Sequence, residues 1–369
     1  MILVLNCGSQ SIKWKIFNLP RQSQKAKAGK ELKLFKEGKR EVFDFDNFEK
    51  TLEEEILELK NFKISKIGHR VVHGKDIFID PVIITQETLK EIEALNNLAP
   101  LHNPFNVLGI KVCQDIFSDI PQIAVFDTEF YKSLPKIAFT YALPHKLAEK
   151  FGFRKYGFHG ISHEYVAKKA CEIAKKKFDK SKIITCHLGG GASITAIKNG
   201  KAIDTSMGFS PGGGIVMMTR PGDVDDEIIF EMIEDLGPEK TKEIINKESG
   251  IKGICGESEM LKVIAMTENP EEPSRRRAEL ALDIFVYSIQ KYIGSYFAIL
   301  GGCDLLVFTG AIGYHSSKIR NMVCHPTGDL SKGDKNLNIL NKTKILAIKT
   351  DEELAIANKI KNLKFKNYG

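Results

Sequence analysis

Hydrophobic and polar positions follow the same plan at two widely separated places in the chain. Residues 182–197, KIITCHLGGGASITAI, open with an apolar run (Ile183, Ile184, Thr185, Cys186), leave it through His187, cross three glycines and enter an alternating stretch. That pattern predicts two strands around a tight turn. Residues 1–17, MILVLNCGSQSIKWKIF, repeat it, with Ile12, Trp14 and Ile16 alternating with Lys13 and Lys15 as in a half-buried strand. The strand-plus-glycine half occurs a third time at 305–313, LLVFTGAIG. Such repetition predicts a duplicated α/β domain with a central cleft between its halves, and small ligands bind in clefts of that kind. Gly189, Gly190 and Gly191 lack a Cβ, so their N–H groups can approach an anion closely and take left-handed angles, forming a phosphate nest. A plain hairpin turn is the other reading of the same three residues.

The remaining elements follow from periodicity and caps. Helices are expected over 48–59, 87–98 and 104–117, the last with Asn103 as N-cap and Pro104 at its first position. Strands are expected over 65–72 and 122–126. Asp127 closes the second of these, either facing a cleft or capping the next turn. In the first, Arg70 sits between His69 and His73, which points to hydrogen-bonded histidines rather than a metal pair. An arginine at a strand end suits a carboxylate or a phosphate. Ser162 is read as the cap of a helix over 163–177, which leaves His159 on a loop, in either a functional or a packing role. Asn199-Gly200 marks a hairpin. A Gly/Pro-rich loop over 209–225 carries Arg220, and a helix over 226–236 ends at Gly237. Residues 252–262 read as irregular, 274–300 as a long buried helix, and 354–363 as a helix preceded by Thr350, Asp351, Glu352 and Glu353.

Length and composition narrow the class. A chain of 369 residues exceeds one core and fits two domains; the hydrophobic fraction of 43% and charged fraction of 27% are those of a soluble globular protein. Five of the seven net positive charges come from residues 20–41, with eight Lys/Arg against three Glu, read as a solvated hairpin or loop. A nucleic-acid patch is the other reading, and no interleaved aromatics support it. Seven scattered cysteines, none in a C-x-x-C, argue against zinc or disulfides and for a reducing compartment. The first residues read as a strand, without a basic region and cleavage signal, so no secretory peptide is expected. The apolar stretch 278–300 contains Glu279, Asp283, Gln290 and Lys291, so no membrane span is expected and a cytoplasmic protein is.

Eleven strings occur in order along nearly the whole chain: LNCGSQSIK, GHRVVHG, LAPLHNP, FDTEF, YGFHGISH, HLGGGASI, DTSMGFSPGGG, TRPGDVD, SGIKGICG, FTGAIG and TDEELAIA. Together they resemble the acetokinase family, built on the duplicated actin/Hsp70/sugar-kinase (ribonuclease H-like) two-domain α/β fold. The resemblance implies reversible phosphoryl transfer from ATP to acetate, giving acetyl phosphate and ADP, with Mg²⁺ (or Mn²⁺ in its place), in a homodimer. It implies a domain formed by residues 1–145 with 354–369, and a nucleotide-binding domain over 146–353. Residue by residue, it places magnesium ligands at Asn6 and Glu352, a nucleotide-site lysine at Lys13, and the substrate-carboxylate arginine at Arg70. The catalytic residues fall on Asp127, His159 and Arg220, and the acetyl-methyl pocket on Val72, Leu101, Phe158 and Pro211. The nucleotide-phosphate loop falls on His187, Leu188, Gly189, Gly190 and Gly191.

These residue types suit the chemistry. Phosphoryl transfer to a carboxylate demands alignment and charge neutralisation more than covalent work, and arginines, a histidine and Mg²⁺ cancel charge on the equatorial oxygens. The sequence departs from the family around the nucleotide. Gly190 stands where the family has Asn, Met260-Leu261-Lys262 where it has Asp-x-Arg, and Ala311-Ile312-Gly313-Tyr314-His315 where it has Gly-Ile-Gly-Glu-Asn. The acceptor side is intact. Propionate as acceptor and pyrophosphate as donor are the near alternatives. A nucleotide-driven conformational module is the rival from another class, and it has no use for Arg70, Asp127, His159 and Arg220.

Overall fold

The computed structural model describes residues 1–8, 11–19, 32–42, 47–325 and 342–363. It divides into two compact units: 1–132 with 158–162 and 351–369, and 133–157 with 163–350. The first contains a six-stranded sheet of β1 (Ile2–Gly8), β2 (Ser11–Asn18), β3 (Lys33–Glu41), β4 (Lys66–Val71), β5 (Val82–Ile83) and β6 (Gln122–Phe126), in spatial order β3-β2-β1-β4-β6-β5. The second contains β7 (Lys182–Leu188), β8 (Ala192–Lys198), β9 (Lys201–Thr205), β10 (Leu305–Thr309) and β11 (Lys344–Ala347), in order β11-β10-β7-β8-β9. Both sheets start as an antiparallel meander of three strands and then add two strands parallel to the first, and the first sheet ends in the short antiparallel β5. The duplication read from the glycine-tipped strands is thus present in the topology. Its third copy is β10, which occupies the place in its sheet that β4 occupies in the other.

In the first unit, one face of the sheet packs Leu3, Leu5, Ile12, Trp14 and Ile67 against helices Phe48–Leu57 and Asn103–Ile116. The other buries Ile2, Val4, Ile123 and Val125 against Ile356, Ala357 and Ile360 of helix Glu352–Ile360. In the second unit, helix Arg275–Leu300 lies against β7 and β8. The expectation of a buried helix holds for one side of it only, because Leu280, Tyr287 and Ile299 are exposed. Asn199 (φ 53°) and Gly200 (φ 79°) make the two-residue turn between β8 and β9, both left-handed as a type I′ hairpin requires. Among the described residues no helix is long and apolar enough to cross a membrane.

Residues 33–41 form β3, antiparallel to β2, so the hairpin reading of the basic segment holds there, and its remainder, 20–31, lies outside the described residues. Three local readings need correction. Residues 252–262 fall largely in helices Gly250–Cys255 and Met260–Glu268. Asn103 is the first helical residue, after His102, and its amide bonds the main chain of His73 instead of capping. Ser162 lies inside helix Gly160–Ala174, fully buried, so the helix starts three residues earlier than its cap signal predicted.

Two histidines are buried without charge. His69 on β4 bonds Gln122 at 2.8 Å, and burial pulls its pKa down to about 4. His163 bonds Thr185 and Ser193 at 2.7 and 2.8 Å, and burial holds it well below the usual value. In the unfolded chain both take up protons near pH 6.5, so the stability they confer is present above that pH and is lost as pH falls below it. The expected loss is about 3 kcal/mol from His69 alone by pH 4. Urea midpoints that stay flat from pH 7 to pH 5 would contradict it.

Candidate active site

In the first unit, three strands and one helix bring charge to one place. Arg70 stands near the end of β4 and Asn6 on β1. Asp127 follows β6, its N–H donating to Val71 O at 3.0 Å and prolonging the parallel ladder by one residue. Arg70 donates to Asp127 through Nη2 (2.6 Å) and Nε (3.2 and 3.3 Å), while its Nη1 meets Glu352 Oε2 at 2.8 Å. The guanidinium is therefore locked in plane and direction by two carboxylates. Burial works against its charge, but Asp127 and Glu352 outweigh burial and raise its pKa. Burial pushes the Asp127 carboxyl above its usual range, with Arg70 as the main opposing influence.

Asp127 also holds the histidine. The His159 N–H donates to its carboxylate, and the Gly160 N–H donates to its carbonyl at 3.0 Å. His159 sits at φ 58°, a left-handed conformation that a non-glycine residue adopts only when its surroundings impose it. Gly160 is required by close approach, since a Cβ there would stand 2.2 Å from Asp127 O. Phe158, beside it, is buried with its carbonyl accepting from Tyr131 Oη at 2.7 Å. Val72 is buried as well, its N–H donating to Asn106, whose own amide donates to Cys7 O. Leu101 is partly exposed in the turn before helix Asn103–Ile116.

The expectation that Glu352 precedes its helix is corrected: Asp351 is the N-cap, accepting from Leu354 N, and Glu352 and Glu353 occupy the first turn. The Asn6 amide donates to Glu353 Oε1 at 3.1 Å and reaches Glu352 Oε2 at 3.5 Å. Lys15, which the sequence reading passed over, has its ammonium 2.9 Å from Asp351 and 3.6 Å from Glu353. Lys13 lies across β1 and β2 from Asn6 and is exposed.

In the second unit, the three glycines connect two antiparallel strands. Gly189, Gly190 and Gly191 form the hairpin turn between β7 and β8, with Gly189 N donating to Gly191 O at 3.1 Å, and none is left-handed. Leu188 is buried and His187 partly exposed on β7. A left-handed glycine that meets this hairpin is Gly310 (φ 76°) at the end of β10, where a Cβ would stand 2.4 Å from Leu188 O. It packs the start of helix Gly310–His315 against the hairpin. Of that helix, Ile312 and Gly313 are buried, Ala311 and His315 exposed, and the rings of Tyr314 and His315 meet edge to face at 4.8 Å. Met260 is buried, Leu261 exposed, and Lys262 pairs with Glu259.

Arg220 differs from Arg70 in charge balance. Its Nη1 donates to Pro211 O at 2.7 Å, and among the described residues no carboxylate lies within ion-pair reach. Burial alone pulls its pKa down to about 10. A partly buried, unneutralised guanidinium on a loop is a ready partner for an anion. Asp223 braces the loop, accepting from Gly214 N at 2.7 Å and from Tyr292 Oη at 2.5 Å.

The acetokinase family model matches residues 1–358. The chain belongs to the acetokinase family. Membership makes it a phosphotransferase with a carboxyl group as acceptor. An acetate kinase of Dictyoglomus turgidum is 41% identical over 392 residues, covering 96% of each chain. Among solved structures, a Porphyromonas gingivalis acetate kinase superposes with a TM-score of 0.79 at 36% identity, covering 97% of this chain and 98% of that one. A propionate kinase from Francisella tularensis superposes at 0.82 with 38% identity, covering 98% and 99%. The mixed α/β architecture with two sheets is the expected fold class. Among the described residues no group of three or more His, Cys, Asp or Glu side chains is arranged to hold a metal.

Proposed function

We propose that this chain phosphorylates acetate reversibly with ATP, using Arg70 to hold the acceptor carboxylate. The supporting observation is the Arg70 fork, fixed on Asp127 and Glu352 at 2.6 and 2.8 Å. A guanidinium so held presents one orientation to an incoming carboxylate, which is the alignment that phosphoryl transfer asks for. Asp127 orients Arg70 and the His159 backbone. It has no proton to remove from the acceptor, because acetate is already ionised near neutral pH. His159 and Arg220 are the groups proposed to meet charge on the transferred phosphoryl. Val72, Phe158, Leu101 and Pro211 are proposed to border the methyl group. In this reading Arg70, Val72, Leu101 and Phe158 of the first unit serve the acceptor, the hairpin of the second unit serves the nucleotide phosphates, and the enzyme is a cytoplasmic homodimer.

Mg²⁺ favours oxygen ligands and keeps several waters, and the side chains of Asn6 and Glu352 supply an amide oxygen and a carboxylate at one place, the Asn6 amide nitrogen standing 3.5 Å from Glu352 Oε2. When bound it supplies positive charge to phosphate oxygens. Asn6, Glu352 and Glu353 are the residues that position oxygens for it.

The donor is tested by initial rates of acyl hydroxamate formation with ATP, GTP and pyrophosphate. The hairpin is expected to bind phosphate, while Met260, Lys262, Tyr314 and His315 recognise the base poorly, so GTP should work within about tenfold of ATP. Gly190 is exposed, with nothing within 4 Å of a Cβ built on it, so Gly190→Asn fits without strain and should lower the KM for ATP. A pyrophosphate rate with none from nucleotides would overturn ATP as donor. With acceptors varied instead, acetate should exceed propionate by about tenfold or more, one buried methylene being worth about 1–3 kcal/mol.

A further inference from the structure

Three alternate residues of β4 touch three successive parts of helix Glu352–Ile360. Lys66 Nζ donates to the carbonyls of Ile360, Lys361 and Leu363 at 3.2, 3.1 and 2.6 Å, so it closes the C-terminal end of the helix. Gly68 lies under the middle: a Cβ there would stand 2.8 Å from both Ile356 Cγ2 and Ile360 Cδ1. Arg70 holds Glu352 in the first turn at 2.8 Å. Residues 66, 68 and 70 share one face of a strand, and 352, 356 and 360 share one face of a helix.

The two spacings agree. Four strand residues span about 13 Å, and eight helical residues span about 12 Å. The helix therefore runs antiparallel to β4 with its two ends in register with Lys66 and Arg70. A shift of one residue at either end would separate Glu352 from Arg70 or leave the last carbonyls uncapped.

We propose that Lys66 and Gly68 are positioning residues, setting where Glu352 stands against Arg70 by fixing the far end and the depth of the helix that carries it. The proposal rests on the functional reading above only for its kinetic consequence. Lys66 reaches no reacting group; it acts through the helix. Gly68 acts by the absence of a side chain, which lets the helix lie directly on the strand. Lys359, paired with Glu129 at 2.7 Å, restrains the same helix from the side.

The test compares Lys66→Met, Lys66→Arg and Gly68→Ala with Ile56→Val, a core variant of the first unit that lowers Tm without touching this helix. Lys66→Met and Gly68→Ala should lower kcat about tenfold and raise the Mg²⁺ concentration for half-maximal rate, with the KM for ATP little changed. Lys66→Arg should restore most of the rate. Amide exchange in Lys66→Met should accelerate about tenfold across 355–360 and stay as in the parent across 103–116. Variants that lose Tm but keep the kcat and Mg²⁺ titration of Ile56→Val would overturn the proposal, as would unchanged exchange at 355–360. A parent that makes no acyl phosphate with any donor refutes the functional reading instead, and the exchange measurement then decides the positioning role alone.

Discussion

Arg70→Ala is expected to lower kcat/KM for acetyl phosphate formation by about a thousandfold, and to lower stability as well. The first effect follows from losing the group proposed to hold the acceptor. The second follows from what is left behind, because Asp127 is fully buried and Glu352 nearly so, and both lose their cationic partner. Removing one partner of a buried ion pair costs about 3–5 kcal/mol. Arg70→Lys should rescue stability in part and activity much less, since an ammonium has no planar fork to bind Asp127 and an acceptor at once. Steady-state kinetics beside thermal unfolding checks both. An Arg70→Ala enzyme within about tenfold of the parent would remove Arg70 from the acceptor site.

Arg220→Gln should behave in the opposite way on stability. Arg220 carries a charge that burial disfavours and that no carboxylate among the described residues offsets. Glutamine keeps an amide donor for Pro211 O and removes the charge, so Tm should hold or rise. Activity should still fall by about a hundredfold or more, as on loss of one preorganised donor to a transition-state oxygen. Stability held in reserve against an anion is what separates a binding arginine from a structural one. An Arg220→Gln variant that loses Tm and keeps its rate would make Arg220 structural.

Regular elements were legible where periodicity and boundary signals agreed. Strands β6 and β10 and the helix Asp226–Leu236 fall where the pattern placed them. Boundaries failed where one local signal stood in for a tertiary contact. Ser162 looks like a cap, but the Gly160 N–H finds its acceptor at Asp127, so the helix begins there. Asn103 looks like a cap too, yet its amide serves His73 across the fold. In Thr350-Asp351-Glu352-Glu353, local rules favour Asp as N-cap, and weighing that preference would have put both glutamates inside the helix. The glycine run was ambiguous because three glycines permit a nest without requiring one. The contacts of Glu353 with Lys15 and Asn6 were not legible because these partners are more than three hundred residues away along the chain. The pairing of Arg70 with Asp127 depends on β4 and β6 being neighbours, which no local pattern reports.

Coupling of donor cleavage to a carboxylate acceptor is checked by measuring ADP release and acetyl hydroxamate together, with and without acetate, for the parent and Arg70→Ala. One acetyl phosphate is expected for each ADP, with ADP release that stops when acetate is withheld and loss of both signals in Arg70→Ala. ADP release that continues unchanged without acetate, and yields no hydroxamate when acetate is present, would contradict it.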